Sequence, residues 1–315
     1  MISISEYPWI DKTIDGINIS SLPHANLIEG SSGVGKFILA KKIAKSILCD
    51  ESSIENCQGC NSCNLIKNNT HPDLLINQDE SKISIDEIRK LIEFANLSSS
   101  VSGSKVIILQ NCENMKKESQ NAILKTLEEP PINTFIIMTS GKRRSLNQTI
   151  YSRCNKILIR DLDQNEVTDW IKSQGIDDFN FYDYPSYISP IDILKSINNG
   201  RANDFLEFNR VLIDFFLKND NTNQSLKKIL EIDLSVSNKI NSIVDILVSI
   251  LKSKQIDKYF SGKLKELNQL QFSGEELSEL IDEMNELRDM HNKVSGLNEK
   301  HTLKYFIFKI DSIIK

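Results

Sequence analysis

A glycine-rich turn at residues 30–36, GSSGVGK, narrows more than any other feature what this chain can fold into. It follows the compact apolar run ANLIE at residues 25–29 and precedes FILAKKIAKSIL, which has helical spacing. A strand, a G-x-x-x-x-G-K turn and a helix in that order make a phosphate-binding loop. Gly30, Gly33 and Gly35 let backbone N–H groups turn inward, and Lys36 adds a positive charge at a helix N-terminus, where the dipole already favours anions. Such a loop belongs at the end of a strand in a parallel sheet covered by helices, and the chain to about residue 160 fits that α/β pattern. DLLIN (73–77), KVIILQ (105–110), TFIIMT (134–139) and KILI (156–159) read as strands buried on both faces. Ser84 followed by Glu87 predicts a capped helix start, and residues 116–129 predict a helix stopped by Pro130 and Pro131.

The loop lacks its usual companions. Position 37 is Phe where a hydroxyl normally holds Mg²⁺, and the run VIILQNCEN carries Gln110 and Asn111 where acidic residues are expected. Glu113, Asp79 and Glu80 read as solvated, because none stands at the tip of an apolar strand. Phosphoryl transfer depends chiefly on positioned charge. The isolated chain is therefore expected to hydrolyse no ATP, and Mg²⁺ is not expected in the loop. Whether Gly35 and Lys36 still bind ATP without cleaving it stays open.

Cys49, Cys57, Cys60 and Cys63 have the spacing C-x7-C-x2-C-x2-C, which can turn four thiolates onto one tetrahedral ion. Four protein ligands close the shell, so the expected site is a structural zinc in a module spanning residues 49–63. Free surface thiols and a redox dithiol are the alternatives. Cys112 and Cys154 lie apart in sequence, and Cys112 is expected to be buried and inert.

Beyond Arg160 the strand signal fades. Residues 161–175 predict a short helix ending at Gly175, an aromatic-rich loop follows at residues 179–190, and from about residue 200 leucine and isoleucine recur at three- and four-residue spacing. Three domains are expected: residues 1–160, a small helical domain at 161–203 and a helical bundle at 204–315. A net charge of −5 argues against a chain that coats DNA alone, since phosphate contacts need a surplus of cations. The run Lys142, Arg143, Arg144 reads as a solvated loop, and Trp9 and Trp170 as packing anchors. The first residues show no apolar core of a leader, and no stretch approaches roughly 18 apolar residues, so a cytoplasmic chain without membrane contact is expected.

Taken in order, LPHANLIEG before the loop, the cysteines followed by HPDLL, the NAILKTLEEPP helix and Ser152-Arg153-Cys154 resemble the bacterial DNA polymerase III clamp-loader subunits of the AAA+ class. The match spans roughly residues 20–160. Within that family the degenerate loop is similar to the delta-prime type, since the tau and gamma motor subunits keep the hydroxyl and the acidic strand end. The resemblance implies a small helical lid and a C-terminal collar that joins subunits in a ring. It implies partners too: tau or gamma, delta, and, through the assembled complex, the sliding clamp and primer-template DNA. The subunit would belong to a polymerase holoenzyme without ATPase or polymerase activity of its own. It also implies that Arg153 is an arginine finger reaching into a neighbour's ATP site, and that Thr139 is a vestigial γ-phosphate sensor. The rival readings are a motor-type ATPase with an atypical magnesium site and a zinc-dependent nucleic-acid binding module.

Overall fold

The structure, a computed structural model, describes residues 7–51, 57, 59–77, 83–141, 144–176, 189–199, 202–253, 267, 270–291 and 298–314. They form two compact units, Met1–Leu162 and Asp163–Lys315.

The first unit is built on five parallel strands: β1 (Ala25–Glu29), β2 (Leu74–Ile76), β3 (Lys105–Leu109), β4 (Thr134–Ser140) and β5 (Asn155–Leu158). Their order is β2-β3-β4-β1-β5. The chain thus leaves β1 for the far edge, returns strand by strand, and crosses to the other side of β1 only at the end. The loop after β1 lies where the connections diverge, the place where open α/β sheets bind ligands. Strand β3 is buried along its whole length, as the apolar run KVIIL requires when helices cover both faces. The helices of this unit are α1 (Pro8–Asp15), α2 (Lys36–Leu48), α3 (Asn61–Lys67), α4 (Ile85–Asn96), α5 (Lys117–Glu128) and α6 (Gln148–Tyr151). The Ser84 hydroxyl accepts the Glu87 N–H at 3.2 Å and starts α4, while Pro130 and Pro131 follow immediately after α5 has ended. Helix α1 is missing from the periodicity reading. Pro8 at its first turn is the signal that marks it, and its Trp9 donates to the Val34 carbonyl at 2.8 Å, tying the helix to the glycine-rich turn.

Strand β2 is shorter than its apolar run because both ends of DLLIN do side-chain work. The Asp73 carboxylate, fully buried, accepts N–H bonds from Ser100, Val101 and Ser102 at 2.6, 2.7 and 3.1 Å. Burial disfavours its charge, but these donors and the Ser102 hydroxyl outweigh burial and hold the carboxyl below its ordinary value of 3.8. A carboxyl held low in the folded state contributes stability above the ordinary value that is lost as pH falls through the depressed one. Asp73→Ala is expected to cost about 3 kcal/mol at pH 7, because it strands three N–H groups. Urea melts should show that difference shrinking only below about pH 4, and an unchanged midpoint at pH 7 would contradict it.

The second unit is helical: α7 (Gln164–Ser173), α8 (Pro190–Asn198), α9 (Ala202–Phe216), α10 (Thr222–Glu231), α11 (Val236–Ser253), α12 (Gly274–His291) and α13 (Glu299–Ile313). Capping boxes start α7, from Asp163 and Glu166, and α10, from Asn221 and Gln224. One core, centred on Phe208, Leu212, Ile243, Leu280 and Phe306, gathers the leucine and isoleucine stripes of α9 to α13. The aromatic-rich loop falls outside the described residues save for Ser189 and Pro190. No helix among the described residues is long and apolar enough to cross a membrane.

Candidate functional site

The parallel register sets Glu29 at the end of β1 beside Ser140 of β4, and Leu109 of β3 beside Met138. Everything that follows these strands therefore gathers at one edge of the sheet. Gly30 is buried there, and Gly33 and Gly35 adopt φ of +66° and +97°, left-handed values that a side chain would strain. Gly35 caps α2 and its carbonyl accepts the Leu39 N–H at 3.0 Å. Lys36, 8% exposed, turns its ammonium back onto the turn and donates to the Gly30 and Ser31 carbonyls at 3.0 and 2.7 Å. The sequence expectation of a strand, tight turn and helix thus holds in geometry. Phe37 lies half-buried in the first turn of α2, with the Lys41 ammonium 4.7 Å from its ring centre.

The charge around the turn differs from the sequence reading in one residue. Glu113, expected to be solvated, reaches into the site. Asn111 takes a left-handed φ of +53°, and the short turn Cys112–Asn114 then swings Glu113 across the strand ends. Its Oε1 accepts the Gly141 N–H at 2.8 Å, and its Oε2 is buried without a hydrogen-bond partner. A methyl group at position 141 would lie 2.8 Å from Glu113 Oε1 and 3.6 Å from Lys36 Nζ, so glycine there lets the two charges flank one point. Burial lowers the pKa of Lys36, and Glu113 partly opposes that shift. A second carboxylate, Asp161, accepts the Ser31 hydroxyl from the other side of the turn. Glycine spacing does not reveal either acid, because each arrives from a distant strand end. Asp79 and Glu80 lie outside the described residues, as do Lys142 and Arg143, while Arg144 is exposed.

The strand tips are closed by neutral groups. The Asn77 side chain accepts the Gln110 N–H at 2.7 Å and donates to its carbonyl at 3.4 Å, and the Thr139 hydroxyl accepts the Asn111 N–H at 3.1 Å. Gln110 is buried where a magnesium-dependent ATPase would place an acid.

The cysteines form a separate site. Their four sulfurs lie within 4.8 Å of one another, and Cys49 Sγ and Cys60 Sγ are 3.9 Å apart. A tetrahedron with metal–sulfur bonds of about 2.3 Å has edges of about 3.8 Å, so the set fits one ion. Cys49 ends α2 and Cys60 caps α3, whose Cys63 N–H donates to Cys60 Sγ at 3.4 Å. N–H groups of Cys60 and Gly59 pull the Cys57 thiol down to about 7, whereas burial pushes Cys63 up. The cluster could hold a metal. Cys112 is buried with its thiol directed at the Leu109 carbonyl, as expected of an inert cysteine.

Arg153 stands at the far end of α6. Its Nε donates to Glu128 Oε1 at 2.6 Å, its Nη2 pairs with the same oxygen, and its Nη1 donates to the Thr149 carbonyl at 2.8 Å and to Ser152 Oγ at 3.3 Å. The side chain is 31% exposed and that of Glu128 46%. Nothing in local sequence announces that partner, 25 positions upstream. Trp9 and Trp170 are 6% and 4% exposed, in keeping with packing anchors.

Residues 10–163 match the family described as "DNA polymerase III, delta subunit". The chain is 33% identical over 179 residues, 54% of each protein, to DNA polymerase III subunit delta' of Haemophilus influenzae. It is 32% identical over 163 residues, 51% of this chain and 50% of the other, to the protein of the same name from Bacillus subtilis. These matches span about half the length of those relatives. A longer one, 30% identical over 256 residues, covers 78% of both this chain and the subunit delta' of Buchnera aphidicola from Acyrthosiphon pisum.

Proposed function

From the premise that this chain belongs to the DNA polymerase III delta-prime family of clamp-loader subunits, we propose that it hydrolyses no ATP and assists a neighbour that does. In this reading it assembles in the cytoplasm with tau or gamma motor subunits and delta, and the complex places a sliding clamp on primed DNA. Residues 1–160 form the AAA+ domain, 161–203 a lid and 204–315 a collar that joins the ring. Arg153 acts in trans as the arginine finger.

One observation carries the proposal: the turn that should bind phosphate is flanked by two acids, while Arg153, just past α6, keeps its side chain partly exposed beside one half-exposed carboxylate. Phe37 supplies no metal ligand, Gln110 and Asn111 supply no negative charge, and Glu113 and Asp161 oppose an incoming phosphate. A planar guanidinium grips phosphate oxygens in pairs and keeps its charge at any working pH. The rival reading, an active motor with an atypical magnesium site, would have to use Glu113, whose Oε1 is held by the Gly141 N–H and whose charge faces the Lys36 ammonium, with no hydroxyl at position 37 to share the metal.

The cysteine cluster is proposed to hold zinc through Cys49, Cys57, Cys60 and Cys63. The ion would keep all four sulfurs as thiolates and fasten the end of α2 to the start of α3, with no open position for a reacting water.

The closed turn gives its own test. Unit charges a few ångströms apart interact by about 3 kcal/mol at an effective dielectric of about 20. Replacing Glu113 by Gln keeps the Gly141 contact and removes the charge, so phosphate and ADP are expected to bind the isolated chain on the order of a hundred-fold more tightly in low salt. Equilibrium dialysis measures this, and equal affinities for the two proteins would remove Glu113 from the explanation.

A further inference from the structure

The Arg153 guanidinium has two unlike edges. Its Nη1 is tied to its own helix end, through the Thr149 carbonyl at 2.8 Å and the Ser152 hydroxyl at 3.3 Å. Those partners are local and move with α6. The opposite edge, Nε and Nη2, is covered by one oxygen of Glu128, which arrives from another element. Glu128 is the last residue of α5, and Pro130 and Pro131 stop the helix just beyond it, so the break in α5 decides where this carboxylate stands. Together these contacts occupy four of the five guanidinium N–H donors, one on Nε, one on Nη2 and two on Nη1.

With Nη1 engaged by Thr149 and Ser152, the edge left to grip a phosphate in the paired manner is the one formed by Nε and Nη2. Glu128 presents an anion to that same edge, so carboxylate and phosphate compete for it. The contest favours phosphate. Both Arg153 and Glu128 are partly open to water, at 31% and 46%, and both donors converge on a single carboxylate oxygen instead of one oxygen each. Such a pair is weak and salt-screened. A carboxylate that stayed in place would repel the γ-phosphate, whereas one that yields leaves the arginine already oriented by Thr149 and Ser152.

We propose that Glu128 is a displaceable mask on Arg153: it covers the phosphate-facing edge in the free chain and gives way when a neighbour's nucleotide arrives. The inference rests on the trans role of Arg153 given above. It makes Glu128 a residue that sets how readily the finger engages, acting through Arg153 and not on the nucleotide itself.

The test uses the full complex reconstituted with its motor and delta subunits, comparing Glu128→Gln, Glu129→Gln, Arg153→Ala and the double variant Glu128→Gln/Arg153→Ala. Steady-state ATP turnover without DNA is expected to rise about two- to five-fold in kcat/KM for Glu128→Gln, the range a half-exposed pair can supply. Glu129→Gln should match the unaltered protein, and the double variant should behave as Arg153→Ala. Unchanged or lower turnover in Glu128→Gln, beside a strong loss in Arg153→Ala, overturns the mask and leaves the finger standing. No loss in Arg153→Ala overturns both. A nitrogen-15 spectrum of the pure chain adds a readout free of assembly: the Arg153 Nε–H signal should shift and exchange faster with water in Glu128→Gln, and an identical signal contradicts the mask.

Discussion

Freshly purified protein is expected to carry one zinc ion per chain, and removing it is expected to release α3 from the end of α2. The four sulfurs lie within 4.8 Å of one another, too close for thiolates without a cation between them. Helix α3 runs only from Asn61 to Lys67, well short of the length at which a helix holds by itself. The cap at Cys60 and an ion shared by the four sulfurs would anchor it. Structural zinc sites of this kind contribute on the order of 10 kcal/mol to the folding of their module. Chelation, or Cys60→Ser, should therefore expose α3 to protease within minutes while the parallel sheet and the helical unit stay intact. Elemental analysis and limited proteolysis read the two halves of this result. Protein without zinc that resists protease equally well would refute a metal-held module.

Arg153→Ala is expected to reduce ATP turnover by about 10³ to 10⁵ at the neighbouring site that the finger completes. The size follows from what an arginine supplies in phosphoryl transfer, a fixed charge facing the oxygens that gain charge in the transition state. The isolated chain should lose almost nothing in stability, since the Arg153–Glu128 pair is half-exposed and pairs of that kind contribute under about 1 kcal/mol. Arg153→Lys tests the geometry: it keeps a charge but loses the flat paired donors, and is expected to restore only a minor part of the activity. A melting temperature unchanged beside a collapse in clamp loading separates a trans role from a structural one.

Much of this architecture was legible in residue order. Strands such as KVIIL and TFIIMT lie buried in a two-sided sheet and could only be apolar and β-branched, so their positions read to within about a residue. The cysteine cluster was legible because C-x-x-C spacing places sulfurs on one turn, a local geometry. What escaped was set by long-range topology. Glu113 looked solvated because its role comes from the left-handed Asn111 and from Gly141 at the end of a different strand. Asp161 and Glu128 meet Ser31 and Arg153 only because the strand order brings distant segments together. Helix α1 is not legible in the periodicity because eight residues hold too little of it, although Pro8 marks its start. Asp73 belongs to the run 73–77 that reads as a strand, whereas its carboxylate organises the loop at residues 100–102.

The central claim is that this chain's own phosphate turn is inert while its Arg153 serves another subunit. The most direct measurement is DNA-dependent ATP turnover of the reconstituted complex carrying either Lys36→Met or Arg153→Ala in this chain alone. Lys36→Met should leave turnover within about two-fold of the unaltered complex, because the ammonium serves the Gly30 and Ser31 carbonyls of a closed turn and faces Glu113 of the same chain. Arg153→Ala should abolish the share of turnover that depends on the adjoining site. The opposite pattern, turnover lost with Lys36→Met and kept with Arg153→Ala, would contradict the claim outright.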